Sequence, residues 1–264
     1  MNDLFYYTLH LADNALILGH RNSEWTGHGP ILEQDIALSN IALDLIGQAR
    51  NFYQYAAQLA NADRSLVPAN TTTEITEDTL AYLRDSHEFK NCLLAEQPNG
   101  DWGKTILRQF FFSAYQFYLY QQLQHSKDET LAAIAAKALK EVTYHLRWSA
   151  EWVIRLGDGT EESHVRMMNA MDDLWKFTGE LFHPAGYETQ LVTQGISVDL
   201  APLKTLWIER VNAVLDEASL ADEEGKLQKA WMQTGGKDGR HTEHLGYLLA
   251  EMQYLQRVYP DSIW

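Results

Sequence analysis

At 264 residues and 45% hydrophobic content, the chain can bury a sizeable core and is too apolar to be disordered. Its net charge of −15 excludes nucleic acid as a partner, because phosphate contacts need clustered Lys and Arg; a small anionic ligand held by a few local cations stays possible. Cys92 is the only cysteine, so no internal disulfide can form, which fits a reducing cytosol and predicts a cytoplasmic protein.

No Lys or Arg precedes Arg21, so the start of the chain lacks the basic segment of a signal peptide. The first helix is expected over residues 3–21, with Leu9, Leu11, Ala15, Leu16 and Leu18 on an apolar side. Gly27-His28-Gly29-Pro30 turns the chain into a second helix. There Leu32, Ile36, Ile41, Leu45, Ala49, Phe52, Ala56 and Leu59 recur three to five apart, over about 45 Å at ~1.5 Å per residue. A polar loop over 61–70 leads to a short helix at 76–86. Glu96-Gln97-Pro98-Asn99-Gly100-Asp101 is a turn by composition.

The third long helix, 102–125, is dense in Phe and Tyr. The uncharged run 109–126 carries five glutamines, too many amides for a membrane span, so no membrane partner is expected. Aromatic helices of this kind usually pack as core or interface rather than line a channel. A fourth long helix ends at Leu156, before Gly157-Asp158-Gly159. Further helices are expected over 161–182, 202–218 and 242–258. The six prolines all fall between helical patterns or at first turns, where a missing N–H is harmless. No strand alternation, repeat or domain boundary interrupts the chain. The sum is an all-α protein: one ferritin-like four-helix bundle over 1–264, with additional C-terminal helices.

Such a bundle holds two metals with one carboxylate from each of two helices and a Glu-x-x-His from each of the others. Here the third helix has no acid between Asp101 and Asp128, and the first offers only Asp13 beyond its first turn. In the fourth helix Glu141 and His145 lie four apart, Tyr144 occupies the place a histidine would need, and Val142 stands where a glutamate ligand of His145 would fall. The second helix repeats the shape with Asp44, Leu45 and Gln48. Both stretches match an Asp-Glu-x-x-His box whose ligand glutamate is replaced by Leu45 or Val142. The leading acids Asp44 and Glu141 then survive as buried polar groups bonding Gln48 and His145. This degenerate site is read as metal-free.

Several blocks, 35–51 (DIALSNIALDLIGQARN), 96–100 (EQPNG), 140–148 (KEVTYHLRW), 174–182 (LWKFTGELF) and 234–256 (TGGKDGRHTEHLGYLLAEMQYLQ), resemble the C subunits of bacterial ring 1,2-phenylacetyl-CoA epoxidases over essentially the whole chain. The resemblance implies a subunit without chemistry or cofactor of its own. It would pack against a homologous catalytic A subunit that carries the di-iron centre. A flavin and iron–sulfur reductase and a small B subunit would complete the complex that epoxidises phenylacetyl-CoA. The resemblance also implies acyl-CoA contacts at Glu88, Phe89, Lys90 and Asn91 and near Thr189, Gln190 and Leu191, with Lys90 facing phosphate or pantetheine. The alternative for the first segment is a solvated loop. For the whole chain the alternatives are a free-standing di-metal oxidase or oxygenase and a standalone acyl-CoA binding module.

Two further features invite a ligand. His241 and His244, three apart at a helix start, suggest zinc, against a packed polar cluster. The loop Gly235-Gly236-Lys237-Asp238-Gly239-Arg240 suggests an anion site before a helix, against a flexible connector.

Overall fold

The computed structural model describes residues 2–67, 74–221, 231–259 and 262, and among them there is no strand. Four long helices make the bundle: α1 (Asn2–Ser23), α2 (Leu32–Ala62), α5 (Trp102–Leu123) and α6 (Glu129–Gly157). Between α2 and α5 lie the short α3 (Glu77–Tyr82) and α4 (Leu93–Glu96). After α6 come α7 (Glu161–Leu174), α8 (Gly186–Gln194), α9 (Leu200–Glu217), α10 (Glu243–Met252) and α11 (Tyr254–Val258). The arrangement is all-α and ferritin-like. No described helix is long and apolar enough to cross a membrane.

The long helices pack as two antiparallel pairs, α1 with α2 and α5 with α6, and a thinner seam between α2 and α6 joins them. The starts of α5 and α6 are set by side chains that accept orphan backbone N–H groups. Asp101 accepts from Lys104 at 2.9 Å, and Asp128 accepts from Leu131 at 2.9 Å while Tyr55 from α2 donates to its other oxygen at 2.6 Å. The aromatic α5 is core: Phe110, Phe111, Phe112, Tyr115 and Tyr120 are buried, and Trp207 of α9 donates its indole N–H to the Phe111 carbonyl at 2.9 Å.

Three stretches come out differently from expectation, two because a tertiary contact interrupts a helix and one because a helix forms where none was expected. The helix expected over 161–182 stops at Leu174 and continues as two 3₁₀ turns. There Gly179 lies so close to Met232 that a Cβ would sit 2.6 Å from it, and Glu180 turns inward. The helix expected over 242–258 breaks at Gln253, whose side-chain amide donates to the carbonyls of Ala81 and Arg84. Residues 186–194, which carry no strong helical period, form α8. Glu188 caps its start by accepting from the Ala185 N–H at 2.8 Å, and Gly195 closes it in the left-handed conformation at φ 73°. Because α8 and α4 lie against it, α1 is buried around most of its circumference rather than along one side.

Candidate functional site

Two polar constellations interrupt the apolar core. The first lies in the α2–α6 seam, at the positions of the degenerate boxes. Leu45 and Val142 are fully buried and offer no donor atom. His145, also fully buried, places Nε2 2.9 Å from Asp44 Oδ2, and Gln48 donates to Glu141 Oε2 at 2.9 Å. Each bond crosses the seam, tying one helix to the other. The acids are not buried as expected: Asp44 and Glu141 lie half-exposed at the outer edge, with the imidazole and amide inward. The seam is shallow there, so a carboxylate keeps water on one side and avoids the full desolvation of a buried charge. Tyr144 is exposed, with Arg147 over its ring.

His145 Nδ1 and Gln48 Oε1 have no hydrogen-bond partner within the protein. Even so, this donor set does not fit a di-iron pair, because one imidazole and two acids committed across the seam cannot fill two coordination spheres. Among the described residues no three His, Cys, Asp or Glu side chains are grouped to share an ion. Replacing His145 by Ala is expected to cost about 1–3 kcal/mol in chemical denaturation, mostly through the lost buried ring, since water can reach Asp44.

The second constellation surrounds residues 88–93. The middle of this segment, residues 89–92, runs between a 3₁₀ turn at Ser86–Glu88 and α4, past α1 and the loop 235–242. Several of its polar groups are held, although the Asn91 Oδ1 has no partner within the protein. Asp13 accepts the Lys90 N–H at 2.7 Å, His10 Nδ1 lies 2.7 Å from the Lys90 carbonyl, and Asn14 accepts the Cys92 N–H at 2.8 Å. Glu180 accepts the Leu93 N–H at 2.7 Å. Phe89 and Asn91 are fully buried and Lys90 half-buried, so the solvated loop is excluded. Residues three and four apart on α1, His10, Asp13 and Asn14, reach this segment from one helical face.

Ion pairs anchor both flanks. Asp13, fully buried, takes two hydrogen bonds from Arg84 and one from Tyr53 at 2.5 Å, and the Arg84 guanidinium lies 4.2 Å over the Phe89 ring. Glu188 of α8 and Lys237 of the glycine loop form a buried pair at 2.9 Å, with His10 Nε2 3.9 Å from Glu188. Burial opposes both charges. Lys237, aided by His10, nevertheless holds the Glu188 carboxyl below its usual range, and Glu188 holds the Lys237 ammonium above its own. Burial, together with Lys237, pushes His10 down to about 4. At neutral pH its ring is therefore neutral, Nδ1–H donating to Lys90 while Nε2 accepts from Asn14 at 3.2 Å.

The glycine loop proves neither a free anion site nor a flexible connector. Its anion is the protein's own Glu180, whose Oε1 accepts the Gly235 and Gly236 N–H groups, each at 2.7 Å. His241 is likewise no zinc ligand: Nδ1 lies 2.7 Å from Glu96 and Nε2 3.0 Å from the Phe89 carbonyl, so both ring nitrogens are engaged. His244 contributes its carbonyl to Arg21 at 3.1 Å.

A family model described as phenylacetic acid catabolic protein matches residues 1–264. The chain belongs to this family. It is 50% identical over 264 residues, 100% of both chains, to the C subunit of the 1,2-phenylacetyl-CoA epoxidase of Escherichia coli (strain K12).

In this member of the phenylacetic acid catabolic family, Lys90 lines a cavity of about 480 Å³ whose other walls include Phe5, Tyr6, Leu9, Leu80 and Leu83. Its ammonium lies 5.8 Å from the Tyr6 ring centroid, and its half-burial lowers its pKa. The second expected segment lies on α8. Tyr187 approaches the same Tyr6 ring at 6.4 Å, whereas Thr189 and Gln190 are exposed and Leu191 is buried one turn on. Tyr6 thus links Lys90 to α8 through Tyr187 rather than through residues 189–191. Of the groups gripping residues 88–93, sequence reasoning noticed Asp13, as the lone acid in an apolar helix, and His241, as a zinc candidate. It missed His10, Asn14 and Glu180, of which Glu180, between Gly179 and Leu181, carried the signal of a charge beside apolar neighbours.

Proposed function

We propose that this chain is the C subunit of a phenylacetyl-CoA epoxidase acting in aerobic phenylacetate degradation in the cytoplasm. In this reading it is non-catalytic and holds no cofactor. It stabilises a homologous catalytic A subunit, which carries the di-iron centre, and works with a flavin and iron–sulfur reductase and a small B subunit. The observation that carries the reading is the full-length identity to a relative of that name. The apolar Leu45 and Val142 at the ligand positions support the non-catalytic part and disfavour a free-standing di-metal oxidase.

An obligate partner of this size is expected to cover about 2,000 Å² or more with an apolar centre. The aromatic α5 is mostly consumed by the chain's own core; of the long helices, α2 is the one that turns several aliphatic side chains outward. Its outward residues Leu32, Ile36 and Leu43, at spacings that share one helix face, are at least half-exposed. Co-expression with the catalytic partner is expected to give a stable complex, a raised Tm for both chains and epoxidation that vanishes when this chain is omitted. A catalytic partner stable and fully active alone, or near-stoichiometric iron in this chain purified by itself, would overturn the proposal.

We further read Lys90, set in a cavity wall that Arg84, His87 and Glu88 share with apolar side chains, as a contact for the phosphate or pantetheine part of the acyl-CoA. Lys90→Glu in the assembled complex is expected to raise KM for phenylacetyl-CoA well above its effect on kcat, the pattern of lost uniform binding. Unchanged KM removes the contact. Calorimetric binding of the acyl-CoA by this chain alone would favour the standalone binding module instead.

A further inference from the structure

The His241 ring is bracketed by two groups that can only accept. Glu96 Oε2, 2.7 Å from Nδ1, also takes the Asn91 amide at 2.8 Å, and Oε1 takes the Thr242 N–H at 2.6 Å and its hydroxyl at 2.7 Å. A carboxylate receiving that many donors is ionised and has no proton to give. The Phe89 carbonyl, 3.0 Å from Nε2, is an acceptor by nature. Both ring nitrogens must therefore carry hydrogen, which makes His241 an imidazolium.

Its two bonds reach the segment that presents Lys90 from either end. One goes directly to the backbone of residue 89. The other goes through Glu96 to the side chain of Asn91, so the residue between them is braced on both sides. We propose that His241 is a charged positioning residue for the acyl-CoA site: its imidazolium, paired with Glu96, fixes residues 89–91 and thereby the place of the Lys90 ammonium. The inference rests on the reading of Lys90 as an acyl-CoA contact.

The charged groups acting on the His241 ring are Glu96 from α4 and Asp13 from α1. Arg21 of α1 donates to the carbonyls of Glu96 and His244, on the chain either side of this pair. Burial opposes the positive charge, but the hydrogen bond and charge of Glu96 outweigh it and raise the His241 pKa. A histidine raised in the folded state contributes stability that is fully present below its unfolded value of about 6.5 and is lost as pH rises through the folded value. The brace therefore weakens on the alkaline side.

Three measurements test this. In the isolated chain, ¹⁵N-edited NMR is expected to find two ring N–H protons on His241 at pH 7; a single one overturns the inference. The Tm difference between wild type and His241→Gln is expected to shrink as pH is raised from 6 past the raised pKa, and a constant difference overturns it as well. In the reconstituted epoxidase, His241→Gln is expected to raise KM for phenylacetyl-CoA about 3–10-fold with kcat within about twofold. Lys90→Ala, assayed beside it, separates the two ideas. A raised KM in Lys90→Ala with an unchanged one in His241→Gln sinks the positioning role alone. An unchanged KM in Lys90→Ala removes the acyl-CoA contact and the inference with it.

Discussion

Asp13→Ala is expected to lower the stability of this protein by about 3–5 kcal/mol, because it strands a buried cation. Asp13 is fully buried and answers four donors: two from Arg84, the Tyr53 hydroxyl at 2.5 Å and the Lys90 N–H at 2.7 Å. Burial alone would lower the Arg84 pKa; Asp13 and then Tyr53 reverse this and raise it. Removing the acid leaves a guanidinium with the Leu80 and Glu88 carbonyls and the Tyr53 hydroxyl as partners and no countercharge in contact. For a chain of this length the loss corresponds to a fall of about 10 °C in Tm, read by calorimetry or circular dichroism. Arg84→Met on top of Asp13→Ala should recover much of it, since an apolar pair of similar volume can replace a buried ion pair at little net loss. A loss under about 1 kcal/mol for the single variant would mean that water reaches Arg84.

Gly236→Ala is the second change with a large expected effect, about 2–4 kcal/mol by the same measurement. A Cβ at this position would sit 2.2 Å from the Asn91 carbonyl oxygen and 3.1 Å from the Leu93 nitrogen. Neither backbone can retreat freely. The Gly236 N–H is bound to Glu180 Oε1 and the Leu93 N–H to Glu180 Oε2, so one carboxylate clips the two chains together. A few steps on, Gly239 faces the His87 carbonyl at 2.1 Å from its would-be Cβ and has φ 86°, so it too admits only glycine. Gly246→Ala supplies the control. That glycine lies within α10 with nothing near its Cβ position, and alanine there should be neutral or stabilising by up to about 1 kcal/mol. Equal losses at both positions would show that close backbone approach is not what residue 236 provides.

Both effects concern the same region, and this bears on function. The segment carrying Lys90 is held by three buried ion pairs or charge-assisted contacts, Asp13–Arg84, Glu188–Lys237 and Glu96–His241, drawn from α1, α4, α8 and the loop 235–242. Buried ion pairs add little net stability compared with apolar packing, because desolvation offsets most of the attraction. Their value here is geometric: each fixes one orientation of a backbone that has no regular hydrogen-bond ladder of its own.

Local signals in the sequence determined the helical architecture, the four long helices and the degeneracy of the metal boxes. Apolar spacing, capping residues such as Asp101 and Asp128, and the placement of proline act within one or two turns, and the identities of Leu45 and Val142 need no fold to be read. Tertiary structure alone decided what the polar residues do. That Glu180 fills the glycine loop, that Gly236 must admit the Asn91 carbonyl, and that His241 stands between Glu96 and Phe89 are contacts 55 to 152 residues apart. No local periodicity encodes them. The same cause unwound the expected helices at Gly179 and Gln253 and left Asp44 and Glu141 half-exposed. A helix is set by bonds four residues apart; a buried charge is set by whichever distant group arrives to neutralise it.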